Sequence, residues 1–109
     1  MGLDMPSGDV NFGNDLGYSY QHSLQILENG HILTLDNGNL STTLLGTNYP
    51  TTRALEIDVI NDQDAEIVWE YNLSENLFGF ASGNVQKMEN GNYLITTVGD
   101  GGTSLEVTE

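Results

Sequence analysis

Ser23–Gly38 reads SLQILENGHILTLDNG, and Asn84–Gly99 reads NVQKMENGNYLITTVG. The two segments align without a gap: Gln25 matches Gln86, Glu28 matches Glu89, and Asn29-Gly30 matches Asn90-Gly91. Each sets short apolar-rich runs on either side of Asn-Gly, a hairpin signal because both turn residues tolerate positive φ.

Working outward, four runs alternate apolar and polar residues: Ser23–Leu27, His31–Asp36, Arg53–Ile60 and Glu66–Tyr71. In Leu55-Glu56-Ile57-Asp58-Val59 every second residue is apolar, the pattern of a half-buried strand. Asn61-Asp62-Gln63-Asp64 makes a polar turn between the last two runs. Further on, Ser104-Leu105-Glu106-Val107 resembles Ala54-Leu55-Glu56-Ile57, which carries the similarity to a third strand. A four-stranded unit recurring every 40–60 residues or so is the signature of a β-propeller blade. The expectation is an all-β fold of four-stranded antiparallel meander blades, about two blades of a β-propeller. Residues 1–20 form an N-terminal segment, a strand or linker from a preceding blade. Residues 21–82 form the first blade and its connection, and residues 83–109 an incomplete second blade. Propellers close with roughly 4–8 blades, so the chain is expected to be a fragment of a larger propeller or a piece that self-associates.

Composition narrows the partners. The 109 residues are 38% hydrophobic and 17% charged, with 13 glycines, which suits a turn-rich β domain. Only Arg53 and Lys87 are basic, against sixteen carboxylates, and the formal net charge of −14 repels phosphate backbones and anionic lipid. Neither nucleic acid nor a membrane surface is an expected partner. No apolar run approaches the roughly 20 residues of a spanning helix, and MGLDMPSGDV has no basic or apolar region of a signal peptide. Cysteine is absent, which excludes disulfides and thiolate metal sites.

Further residues carry a family resemblance. Gln21-His22-Ser23-Leu24-Gln25, Leu27-Glu28-Asn29-Gly30-His31 and Asp36-Asn37-Gly38-Asn39 resemble a segment of the type QHxxQxLxNGNxLxxDNGN in the bacterial arylsulfotransferase-like β-propeller family. Thr52-Arg53-Ala54-Leu55-Glu56-Ile57-Asp58 is similar to the arginine-led strand that follows there, and Trp69-Glu70-Tyr71 to its Trp-Glu-Tyr. Gly83-Asn84-Val85-Gln86 through Ile95 is similar to a further segment of the type GxVQxLxNGNxLIxxG. The resemblance implies a periplasmic or secreted propeller that moves a sulfuryl group from an aryl sulfate to a phenolic acceptor, with no cofactor and no nucleotide sulfate donor. It implies chemistry at channel histidines with an arginine beside them. By motif position His22 corresponds to a channel histidine and Arg53 to the arginine.

Those residue types suit the chemistry. A transferring sulfuryl group keeps negative charge on three oxygens, and a planar guanidinium can bridge two of them. An imidazole can attack sulfur when neutral, or protonate the leaving phenolate when charged. The expected roles are a sulfuryl clamp for Arg53 and proton donation or oxyanion stabilisation for His22. The plainer alternatives are a strand-edge histidine bonded to a carbonyl and an arginine in a surface ion pair. The second copy has Gly83 where the first has His22, so the remaining catalytic groups are expected in other blades. A non-catalytic β-propeller that binds or scaffolds is the competing function.

His31 aligns with Asn92 and is expected on a solvent-facing hairpin. Asp58, Asn61, Asp62, Asp64 and Glu66 suggest calcium, but they lack the glycine and terminal glutamate of an EF-hand loop, so a polar turn is expected. Asp36-Asn37-Gly38-Asn39 and Gly99-Asp100-Gly101-Gly102 also read as turns, and Trp69 and Tyr71 as packing aromatics.

Overall fold

The computed structural model describes residues 16–61, 64–98 and 102–108. The expected turn residues Asp62, Gln63 and Gly99–Gly101, and most of the expected N-terminal segment, lie outside them. The chain is all-β, with two antiparallel sheets. The first contains β1 (His22–Ile26), β2 (Ile32–Asp36), β3 (Arg53–Val59) and β4 (Ala65–Asn72) in sequence order. The second contains β5 (Asn84–Lys87), β6 (Tyr93–Thr97) and β7 (Thr103–Val107), again in sequence order. Neither sheet closes on itself. A one-turn helix, α1 (Ser41–Leu44), and a 3-10 turn, Glu75–Leu77, lie in the connections.

Both hairpins form at the expected Asn-Gly, but by a different device. Gly30 and Gly91 have φ of +88° and +87°, while neither asparagine takes positive φ. The turns are three-residue loops closed by Gly30 N–H to Leu27 O and Gly91 N–H to Met88 O, both 2.9 Å. Each asparagine carbonyl accepts from the amide two residues on, His31 at 3.0 Å and Asn92 at 2.9 Å. A loop with one left-handed glycine in its last position suits the twist of the strands it joins.

The two sheets also share a register. Ile26 pairs with Ile32 and Gln25 with Leu33, as Lys87 pairs with Tyr93 and Gln86 with Leu94. Glu56 lies opposite Leu33 on β3, as Glu106 lies opposite Leu94 on β7.

The sheets pack face to face. Leu33, Leu35 and Ala54 of the first, joined by Leu73, bury against Val85, Tyr93, Ile95 and Val107 of the second. Trp69 stacks on Tyr93 with ring centroids 3.6 Å apart and planes 8° from parallel. The opposite face of the first sheet carries Leu55, Ile57 and Ala65, covered by Leu16 with Tyr18 alongside. β3 is therefore buried on both faces, and Glu56, on the polar side of the alternation, is buried rather than solvated. The edge strand β1 is not covered in this way: Leu24 and Ile26 are 69% and 70% exposed, whereas Val85, in the register position of Leu24, is 1% exposed.

Candidate functional site

His22 opens β1 at an irregularity. The β1–β2 register shifts between His22 and Leu24, so Ser23 is an extra residue on its strand, a bulge. Bulges bend a strand and re-aim the side chains beside them. Among the described residues, the non-glycine positions with positive φ are Tyr20 (54°), Ser23 (66°) and Ser82 (59°). Ser23 follows His22 in the chain, the Tyr20 carbonyl meets the His22 ring, and the Ser82 carbonyl meets Asn37, the side chain that also holds that ring. Asn37 Nδ2 donates to the carbonyls of Gly79 at 2.6 Å and Ser82 at 2.9 Å, and its Oδ1 lies 2.7 Å from His22 Nδ1. The Tyr20 carbonyl lies 3.0 Å from the same ring nitrogen. Left-handed backbone at a non-glycine residue costs on the order of 1–3 kcal/mol and persists where the surroundings over-determine it. Here it surrounds an exposed imidazole backed by a fully buried amide.

Arg53 opens β3 at the same end of the sheet, opposite Asp36. Its Nε donates to Asp36 Oδ2 at 2.6 Å, Nη2 to the Leu16 carbonyl at 2.6 Å and Nη1 to Glu70 Oε2 at 3.2 Å. Arg53 is 4% exposed and Asp36 fully buried. Burial raises the Asp36 carboxyl above its ordinary value, against the Arg53 guanidinium and the Ser19 and Gly38 amides, which pull it down. Each of the three guanidinium nitrogens is thus engaged within the chain, and only Glu70 among their partners is exposed.

The adjacent pair Asp36-Asn37 links the two candidates: Asp36 holds Arg53 and Asn37 holds His22. The structure brings both residues to one end of the sheet without a shared partner. Arg53 faces the Leu16 segment, whereas Asn37 reaches toward the Gly79–Ser82 connection. Asp36-Asn37-Gly38, read from sequence as a turn, supplies the framework of this end. Gly38 has φ of +74°, and a Cβ there would lie 1.8 Å from the Thr51 carbonyl oxygen, so only glycine fits. The absence of a second imidazole at Gly83 also has a steric cause. With φ of +108°, a Cβ there would meet Leu35 Cδ2 at 2.5 Å and the Thr96 carbonyl at 2.7 Å.

A second polar cluster joins the sheets. His31 Nδ1 lies 2.5 Å from Glu56 Oε2, the Tyr93 hydroxyl donates to Glu56 Oε1 at 2.7 Å, and Lys87 Nζ lies 3.4 Å from the same oxygen. Burial would raise the Glu56 carboxyl, but the bonds from His31 and Tyr93 and the Lys87 charge outweigh it, holding it below its ordinary value of 4.5. This corrects the expectation of a solvent-facing His31, whose side chain is 23% exposed and paired. Its alignment with Asn92 acquires a reason, since Asn92 Nδ2 donates to Glu106 Oε2 at 3.0 Å. The slot after each turn supplies a donor to the glutamate of the third strand.

Among the described residues no group of His, Cys, Asp or Glu could hold a metal ion, and no helix is long and apolar enough to cross a membrane. Comparison of the chain with family models, curated proteins and solved structures found no match.

Proposed function

We propose that the chain is part of an arylsulfotransferase-like β-propeller, each sheet a blade or part of one, in which the His22 imidazole serves sulfuryl transfer from an aryl sulfate to a phenol. The observation that carries this reading is the exposed His22 ring held by buried Asn37 amid strained backbone. Two meander sheets stacked through a common core suit neighbouring blades. In this reading a nucleophile supplied by another blade bonds sulfur as the donor S–O(aryl) bond breaks, and the departing phenolate takes a proton from an imidazolium. The acceptor phenol oxygen then bonds sulfur as the sulfur–nucleophile bond breaks, and its proton returns to the imidazole. The remaining groups, including the nucleophile, belong to other blades, and the protein works in the periplasm or outside the cell. Arg53 secures this end of the sheet through Asp36; contact with sulfuryl oxygens would require Glu70 to give way.

The test uses the complete protein carrying this chain, an aryl sulfate donor and a phenolic acceptor. His22→Ala is expected to lower turnover by at least about 100-fold, the lower range for general acid–base catalysis, in a protein that still melts cooperatively above the assay temperature. Undiminished turnover discards the assignment. A non-catalytic propeller that binds or scaffolds is the second reading, favoured by the intrachain engagement of Arg53. It predicts no sulfuryl transfer with any donor.

A further inference from the structure

We propose that Asn37 is a positioning residue that holds His22 as the Nδ1–H tautomer, leaving Nε2 as the bare, solvent-facing nitrogen. The argument rests on which groups can only accept. The carbonyls of Gly79 and Ser82 accept from Asn37 at 2.6 and 2.9 Å, so the Asn37 amide turns its NH2 toward them and its Oδ1 toward the ring. The ring nitrogen Nδ1 then faces two oxygens, Asn37 Oδ1 at 2.7 Å and the Tyr20 carbonyl at 3.0 Å, neither of which has a hydrogen to give. A bare Nδ1 would set its lone pair against both. With the proton on Nδ1 the same geometry becomes a shared N–H donor.

The amide has little freedom to turn. Asn37 is fully buried, and its own carbonyl accepts from Thr52 Oγ1 at 2.8 Å. The same hydroxyl accepts from the Gly79 amide at 2.9 Å, tying Thr52 to the residue whose carbonyl holds Asn37 Nδ2. Among the described residues nothing bonds His22 Nε2, and the residue is exposed. A free neutral histidine prefers the opposite tautomer, with the proton on Nε2, so the device inverts the intrinsic preference. The nitrogen it leaves bare is the outer one, able to take or return a proton. That Nε2 meets a sulfuryl donor or phenol rests on the proposed function; the tautomer itself does not.

The experiment is long-range 1H–15N correlation NMR on the 15N-labelled chain at a pH where the ring is neutral, with His31→Asn used to assign the two histidines. His22 is expected to show a pyrrole-type Nδ1 and a pyridine-type Nε2, and Asn37→Leu to shift it toward a mixture with the Nε2–H form. An Nε2–H ring in the wild-type chain overturns the proposal, as does a folded Asn37→Leu chain with an unaltered tautomer. If Asn37→Leu does not fold, the wild-type spectrum still decides which nitrogen carries the proton. Turnover plays no part in this measurement, so it stands or fails separately from the sulfuryl-transfer reading.

Discussion

Arg53 and Asp36 face each other across adjacent strands, Nε to Oδ2 at 2.6 Å, with side chains 5% and 0% exposed. The pair fastens the first sheet to the Leu16 segment, because the same guanidinium holds the Leu16 carbonyl. Removing one member of a buried pair leaves the other charge without a counterion, which costs about 3–5 kcal/mol. Arg53→Met is therefore expected to lower unfolding free energy by about that amount in urea titration. A loss below about 1 kcal/mol, the range of surface pairs, contradicts the structural role.

Glu56 predicts a pH dependence of opposite sign to that of Asp36. Its carboxyl is held below 4.5 in the folded chain, so as the pH falls the unfolded chain takes up the proton first. The stabilisation is present above 4.5 and is lost as the pH falls through the lowered folded value. Asp36, raised by burial, contributes a loss of stability as the pH rises through its own range. Glu56→Gln should flatten the acid limb of stability against pH, measured by urea unfolding at stepped pH. An acid limb as steep as that of the wild type counts against the assignment.

Tyr93 separates a hydrogen bond from a stacking contact. Tyr93→Phe retains the ring on Trp69 but removes the donor to Glu56 Oε1, at a cost of about 1.5–3 kcal/mol for a bond to a charged group. Tyr93→Ala also forfeits the buried ring and should cost about 3–5 kcal/mol. Thermal melts of the two variants order them.

His31 and Asn92 occupy the same slot, each donating to the glutamate of the third strand. His31→Asn should therefore destabilise the chain less than His31→Ala, which leaves Glu56 Oε2 without this partner. Equal losses in urea titration remove the equivalence.

Two glycines with similar φ should respond very differently. At Gly30, φ +88°, an added Cβ meets nothing within 4 Å, so Gly30→Ala costs about 1–2 kcal/mol for the left-handed conformation alone. At Gly38 the Thr51 carbonyl stands in the way, and Gly38→Ala should cost clearly more, with loss of folded chain in the melt as the extreme. Similar losses at both sites would place the Asp36-Asn37-Gly38 corner wrongly.

The strands are legible in sequence because alternation is local. A residue's side of a sheet follows from its parity along the strand, and Leu55-Glu56-Ile57-Asp58-Val59 displays that directly. The Asn-Gly turns are legible for the same reason, since the left-handed position at Gly30 and Gly91 is a property of a few neighbouring residues. Parity cannot tell what covers a side. Glu56 alternates like a solvent residue, yet the second sheet lies over it and meets it with Tyr93 and Lys87. Asn37 reads as part of a turn and is instead a buried amide, because the Gly79 and Ser82 carbonyls that define it come from far along the chain. Motif position marks Arg53 and His22, but the partners that give each its state depend on long-range packing. Chain-local preference selects strands and turns, whereas burial, charge pairing and the state of an imidazole depend on what the fold brings beside them.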